Sequence, residues 1–145
     1  MKNKISIFLI LSLMSFLKPI EVKGSSFTYK YFSSDGFVYQ FELIENRNEL
    51  VIYKMNLTSD TLNSTIRPLN NDSVEVLKKL HQKVLTLKNS PINHIKGGAK
   101  VEVLDSKQEL IFEIYFGTGS DESLLNLINY FIKVSPIEIK NSGKS

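Results

Sequence analysis

Apolar and polar positions alternate along "SFTYKYF", where Phe27, Tyr29 and Tyr31 interleave with Thr28 and Lys30. They alternate again along "FVYQFELI", where Phe37, Tyr39, Phe41 and Leu43 interleave with Val38, Gln40, Glu42 and Ile44. A period of two marks strands that bury one face. The linking "SSDG" allows two closures. A two-residue Asp35-Gly36 turn sets Lys30 against Phe41. A three-residue loop ending at a left-handed Gly36 pairs Ser33 with Phe37, and aligns Tyr31 with Tyr39, Tyr29 with Phe41 and Phe27 with Leu43. A one-residue slip exchanges the two faces of a strand, so the aromatic match selects the three-residue loop. "ELVIYKMN" continues the meander as a third strand, with Leu50 and Ile52 opposite Leu43 and Phe41.

Beyond it, residues 57–71 are polar and show no clear period, which predicts a long connection that is functional, mobile or conceals a short edge strand. "DSVEVLKKLHQKVLTLK" has helical spacing. Val76, Leu77, Leu80, Val84 and Leu87 share a broad face, His81 lies at its edge between Val74 and Leu77, and Asp72 is placed to cap with Glu75 three residues on. "KVEVLD" and "ELIFEIYF" predict a second hairpin. A two-residue turn at Ser106-Lys107 pairs Val103 with Leu110 and Val101 with Phe112, and sets Lys100 against Glu113. "DESLLNLINYFIK" closes the pattern as an amphipathic helix with Leu124, Leu127, Ile128 and Phe131 on one side. The predicted class is α+β: a mainly antiparallel five-stranded sheet in βββ-α-ββ-α order, with two amphipathic helices on one face.

The start of the chain follows a different rule. "MKNK" precedes the predominantly apolar run Ile5–Leu17, and "KPIEVKGSS" follows it. That layout predicts a secretory signal peptide over residues 1–24, because a spanning helix wants about 20 apolar residues. Residues 25–145 then form a single domain with a flexible tail over 134–145. The protein is expected to be secreted or periplasmic, with no stable membrane span after cleavage. It has no cysteine, so neither lipidation at a cleavage-site cysteine nor a disulfide is available.

Cleavage also changes the charge. The chain has 18 Lys+Arg and 15 Asp+Glu, a net +3. Lys2, Lys4, Lys18 and Lys23 against Glu21 account for that whole excess, so residues 25–145 are neutral. The basic pI therefore argues for no nucleic-acid partner.

Chemistry is sparse. "EIYFGTGSDESLLNLI" resembles the strand, G-x-G, helix entry of a phosphate-binding turn. However, Glu122 stands where a third glycine belongs, and Asp121 and Glu122 already occupy the positive end of the helix dipole. The stretch reads as a helix start, with Ser120 or Asp121 as cap. Of the two histidines, His81 reads as a hydrogen-bonded structural residue. The other lies in "PINHIKGGAK", where His94, Lys96, Gly97, Gly98 and Lys100 gather a histidine, cations and a pliable backbone suited to a small anion. Glu109 and Glu113 are too far apart along one strand for paired-carboxylate chemistry. No metal-ligand spacing occurs, no catalytic residue is indicated and no cofactor is implied.

The sheet's second face is more informative. Phe32, Val38, Tyr53 and Met55 fall together on the side away from the helices, where a one-sided antiparallel sheet normally carries polar residues. The pattern predicts a non-enzymatic interaction module that binds a protein partner, or itself as a homodimer, through the outer face of its first three strands. The alternative is an envelope carrier or sensor of small anionic ligands that uses the His94–Lys100 loop.

Overall fold

The alternating aromatic ladder becomes the central hairpin of the sheet. The computed structural model describes residues 26–89, 99–116 and 120–139. Strands β1 (Phe27–Phe32) and β2 (Val38–Ile44) pair antiparallel with Tyr31 opposite Tyr39, Tyr29 opposite Phe41 and Phe27 opposite Leu43. The loop is the three-residue one. Ser33 N–H donates to the Phe37 carbonyl at 2.9 Å, and Gly36 has φ +82°. A 3-10 turn over Glu45–Arg47, ended by left-handed Asn48, leads into β3 (Glu49–Met55). Leu50 and Ile52 there meet Leu43 and Phe41.

Two expectations need correction at this point. The polar connection expected over residues 57–71 contains an eight-residue strand, β4 (Thr61–Pro68), so the sheet has six strands rather than five. β4 escapes a periodicity reading because it is exposed almost throughout, and a strand wet on both faces needs no amphipathic pattern. The first helix, α1 (Asn71–Leu85), begins earlier than expected. Its cap is Asn70, whose Oδ1 accepts from Ser73 N–H at 2.8 Å, and Asp72 lies inside the first turn.

α1 buries Val74, Leu77, His81 and Val84, a stripe at i, i+3, i+7 and i+10. The expected face included Val76, which instead points to solvent. His81 takes an inner place because a polar partner waits there: its Nδ1 lies 2.8 Å from the Tyr29 hydroxyl. Its ring also stacks on Phe27 at a centroid distance of 4.2 Å. A buried imidazole is tolerated once it is hydrogen-bonded.

β5 (Ala99–Leu104) and β6 (Leu110–Phe116) form the second hairpin, and β5 joins the free edge of β1 antiparallel. Strand order is β4-β3-β2-β1-β5-β6. The register of this hairpin is a correction too: Val103 pairs with Phe112, Val101 with Ile114 and Lys100 with Tyr115. Two one-residue changes cause it. The loop is again three residues long, with Asp105 N–H donating to Glu109 O at 2.9 Å and left-handed Gln108 where the first hairpin has Gly36. A bulge between Val103 and Leu104 then adds the second residue. Because the two shifts sum to an even number, Phe112 stays on the same face as Val101 and Val103.

α2 (Glu122–Val134) packs beside α1 on the same side of the sheet. Its cap is Asp121, whose carboxylate accepts from Ser123 N–H at 2.8 Å, so the N-terminal dipole is already matched by protein. Between the layers lie Phe27, Tyr29, Tyr31, Tyr39, Phe41, Leu43, Leu50, Ile52, Val101 and Val103, with Leu124, Leu127, Ile128 and Phe131 from α2. Phe41 and Phe131 stack at 4.6 Å with planes 9° apart. The segment after α2 closes the core's end, where Ile139 is buried and Tyr39 O–H reaches the Glu138 carbonyl at 3.2 Å. The signal-peptide segment lies outside the described residues. Among the described residues no helix is long and apolar enough to cross a membrane.

Candidate functional site

The face of the sheet away from the helices is assembled from alternate residues of all six strands. Its first row runs Phe32, Val38, Met55 across β1, β2 and β3. The second runs Glu113, Glu102, Lys30, Gln40, Tyr53, Ser64, and the third joins Leu104, Thr28, Glu42, Val51 and Ile66. The four expected contact residues, Phe32, Val38, Tyr53 and Met55, are thus gathered at one end of this face.

Their exposure is uneven. Val38 is 4% exposed and Met55 8%, so both are already out of water, whereas Phe32 and Tyr53 are half-buried. Val38 sits between Phe32 and Met55 as directly opposed neighbours, close enough to shield one another. Tyr53 O–H donates to Glu42 Oε2 at 3.4 Å, and Gln40 Nε2 donates to Glu42 Oε1 at 2.6 Å. Burial, and then the Glu42 charge and hydrogen bond, hold the Tyr53 phenol above its ordinary pKa, so it stays a neutral donor.

Solvent-facing apolar surface lies instead on β4, within the segment expected as a long polar connection. Ile66 is 58% exposed beside Val51, Leu62 is 54% exposed at the bulge opposite Met55, and Leu57 at the hairpin tip is 70% exposed. The one signal for them in sequence is a pair of aliphatics four apart, Leu62 and Ile66, within an otherwise polar run.

Of the expected anion loop, His94, Lys96, Gly97 and Gly98 lie outside the described residues. Lys100 belongs to β5. Its Nζ is 2.6 Å from Glu102 Oε1, 4.0 Å from Glu113 Oε2 and 4.0 Å from the centre of the Phe32 ring. The cation is therefore engaged on the sheet face. Gly117 and Gly119 of the G-x-G stretch also lie outside the described residues.

A second concavity opens at the turn end of the helix side. An open cleft of about 470 Å³ is lined by Asp35, Phe37, Lys54, Asn63, Pro136, Ile137 and Glu138. Behind it the Tyr39 hydroxyl donates towards Asp35 Oδ2 at 3.0 Å, and burial together with that carboxylate pushes its pKa well above the phenol range. Lys54 Nζ rests 3.9 Å over the Phe37 ring. The cleft's lining holds no histidine. His81 is walled off beneath α1, and burial lowers its pKa to about 4. Among the described residues no three His, Asp or Glu side chains converge to hold a metal ion. What the arrangement offers chemically is apolar contact beside fixed polar groups.

No known protein-family model, curated protein or solved structure matches this chain.

Proposed function

We propose that this chain is an exported, non-enzymatic interaction module that docks a protein partner on the outer face of its sheet. One observation carries the reading: Leu57, Leu62 and Ile66 stand largely in water along the β3–β4 hairpin, on or beside the sheet face opposite the helices. Large aliphatic side chains displayed together are costly to hydrate, and a partner relieves that cost at about 25 cal/mol per Å² removed from water. Met55, Val51 and Tyr53 continue the patch inward. The Tyr53–Glu42–Gln40 chain supplies the fixed polar groups that set a partner's orientation, and Phe32 forms the far rim.

The buried state of Val38 and Met55 decides which residues to alter. Charging them damages the fold, whereas Leu62→Lys with Ile66→Lys alters only exposed edge positions. Capture from envelope and medium extracts with the wild-type chain is expected to yield one stoichiometric partner. The double variant is expected to lose it with an unchanged melting temperature, and Val76→Lys on the helix side is expected to keep it. Retention of the partner by the double variant overturns the proposed face.

A further inference from the structure

An open sheet ends in two strands that each present one row of backbone N–H and C=O groups to whatever lies beside them. Here those strands are β4 and β6. β4 is protected in the usual ways: a bulge opposite Lys54/Met55, Arg67 and Pro68 at its end, and polar side chains along most of its length. β6 has none of these over most of its length. It reads "LIFEIYF", with no Lys, Arg or Pro, and its bulge is spent at the loop end. From Phe112 to Phe116 its ladder to β5 is regular. Phe112 and Ile114 share the face of Val103 and Val101, which are wholly buried, yet both are only half-buried. Among the described residues no strand pairs with their outer side.

We propose that β6 pairs antiparallel with β6 of a second copy across a two-fold axis at Ile114, joining two six-stranded sheets into one. The register follows by elimination. An axis at Glu113 sets two carboxylates directly opposite each other, which is destabilising. One at Phe112 draws the bulged positions 110 and 111 into the ladder. One at Tyr115 runs past the end of the strand. At Ile114 the regular stretch meets itself: Ile114 faces Ile114, Phe112 faces position 116, and Glu113 faces position 115 rather than a second carboxylate. Such an interface is closed and self-complementary, so it stops at two copies. Residues 25–145 are neutral, so no net charge opposes their approach.

A two-fold axis perpendicular to the sheet keeps all four helices on one side and both outer faces on the other. The dimer then displays two β3–β4 patches in one surface. This pairing stands on the sheet edge and is independent of the docking face proposed above.

The chain has no cysteine, which makes single-cysteine crosslinking clean. In the full chain, expressed with its leader and oxidised in place, Ile114→Cys is expected to give the dominant disulfide-linked dimer. Phe112→Cys, Glu113→Cys and Tyr115→Cys are expected to give at least several-fold less, because none of them faces itself. Sedimentation of the wild-type chain is expected to give twice the monomer mass. Ile114→Lys, which places a charge on the edge, is expected to give the monomer mass with an unchanged circular dichroism spectrum. A wild-type monomer at high micromolar concentration, or equal crosslinking at all four positions, overturns the proposal. So does a crosslink maximum at Ser64→Cys or Ile66→Cys on β4.

Discussion

The two faces of this sheet obey different rules. On the helix side, Tyr29, Tyr31, Tyr39, Phe41, Leu43, Leu50 and Ile52 are fully buried and packed against two helices. On the other side, buried Val38, Val51 and Met55 alternate with the hydrogen-bonded Gln40–Glu42–Tyr53 group and end at exposed Leu62 and Ile66. The first face holds the fold together, because removing a side chain there leaves a cavity on both sides of the interface. The second spends less of its surface on stability. Its exposed part is therefore where substitution changes association before it changes folding.

The sharpest way to break that contrast is to delete a ring from the buried layer. Phe131→Ala removes the stack on Phe41 and a contact with Tyr29, and is expected to cost about 3–5 kcal/mol in denaturant unfolding. Tyr53→Ala on the outer face is expected to cost about 1 kcal/mol, and equal losses abolish the distinction between the faces.

Acid titration probes the same layer without mutation. Burial lowers the His81 pKa from its ordinary 6.5 to about 4, so the folded chain holds a neutral imidazole that the unfolded chain protonates more readily. Stability from this group is present above pH 6.5 and is lost as pH falls towards 4. The loss reaches about 3 kcal/mol and levels off below pH 4. His81→Gln is expected to flatten that part of the stability–pH curve. A wild-type curve that is flat from pH 7 to 4 contradicts the burial.

Smaller effects sharpen the comparison between the two hairpins, which share one loop form. Gly36→Ala meets no atom within 4 Å, so its cost is backbone strain alone, about 1–2 kcal/mol at φ +82°. Gln108→Gly relieves the same strain at φ +66° but removes the Nε2–H donated to buried Thr28 Oγ1 at 2.8 Å. The two terms are each about 1 kcal/mol and are expected to leave the melting temperature nearly unchanged. The smallest effect belongs to the outer rim, where Leu62→Lys with Ile66→Lys is expected to shift stability by about 0.5 kcal/mol or less.

The candidate site was legible in sequence wherever burial imposed a period. The register of β1, β2 and β3 follows from aromatic alternation, and with it the clustering of Phe32, Val38, Tyr53 and Met55 on one face. How much of that cluster meets water does not follow, because exposure depends on cross-strand neighbours. β4 and its Leu62 and Ile66 were illegible for the opposite reason: an edge strand is held by backbone hydrogen bonds, which any side chain permits. The aromatic match across the strands selected the first hairpin's loop, with Gly36 left-handed, while Gln108 in the corresponding place concealed the same loop in the second.

By itself the sequence determined the α+β class, both amphipathic helices, the central meander with its register and the side of the sheet that faces the core. Each of these rests on local periodicity or turn chemistry, which one segment expresses alone. The tertiary structure decided the sixth strand, the bulge between Val103 and Leu104, the inner place of His81 against Tyr29, the engagement of Lys100 on the sheet face, and the unequal edges β4 and β6. These depend on which groups meet across the chain. The balance of burial, hydrogen bonding and strain at such meetings is set only when both partners are in place.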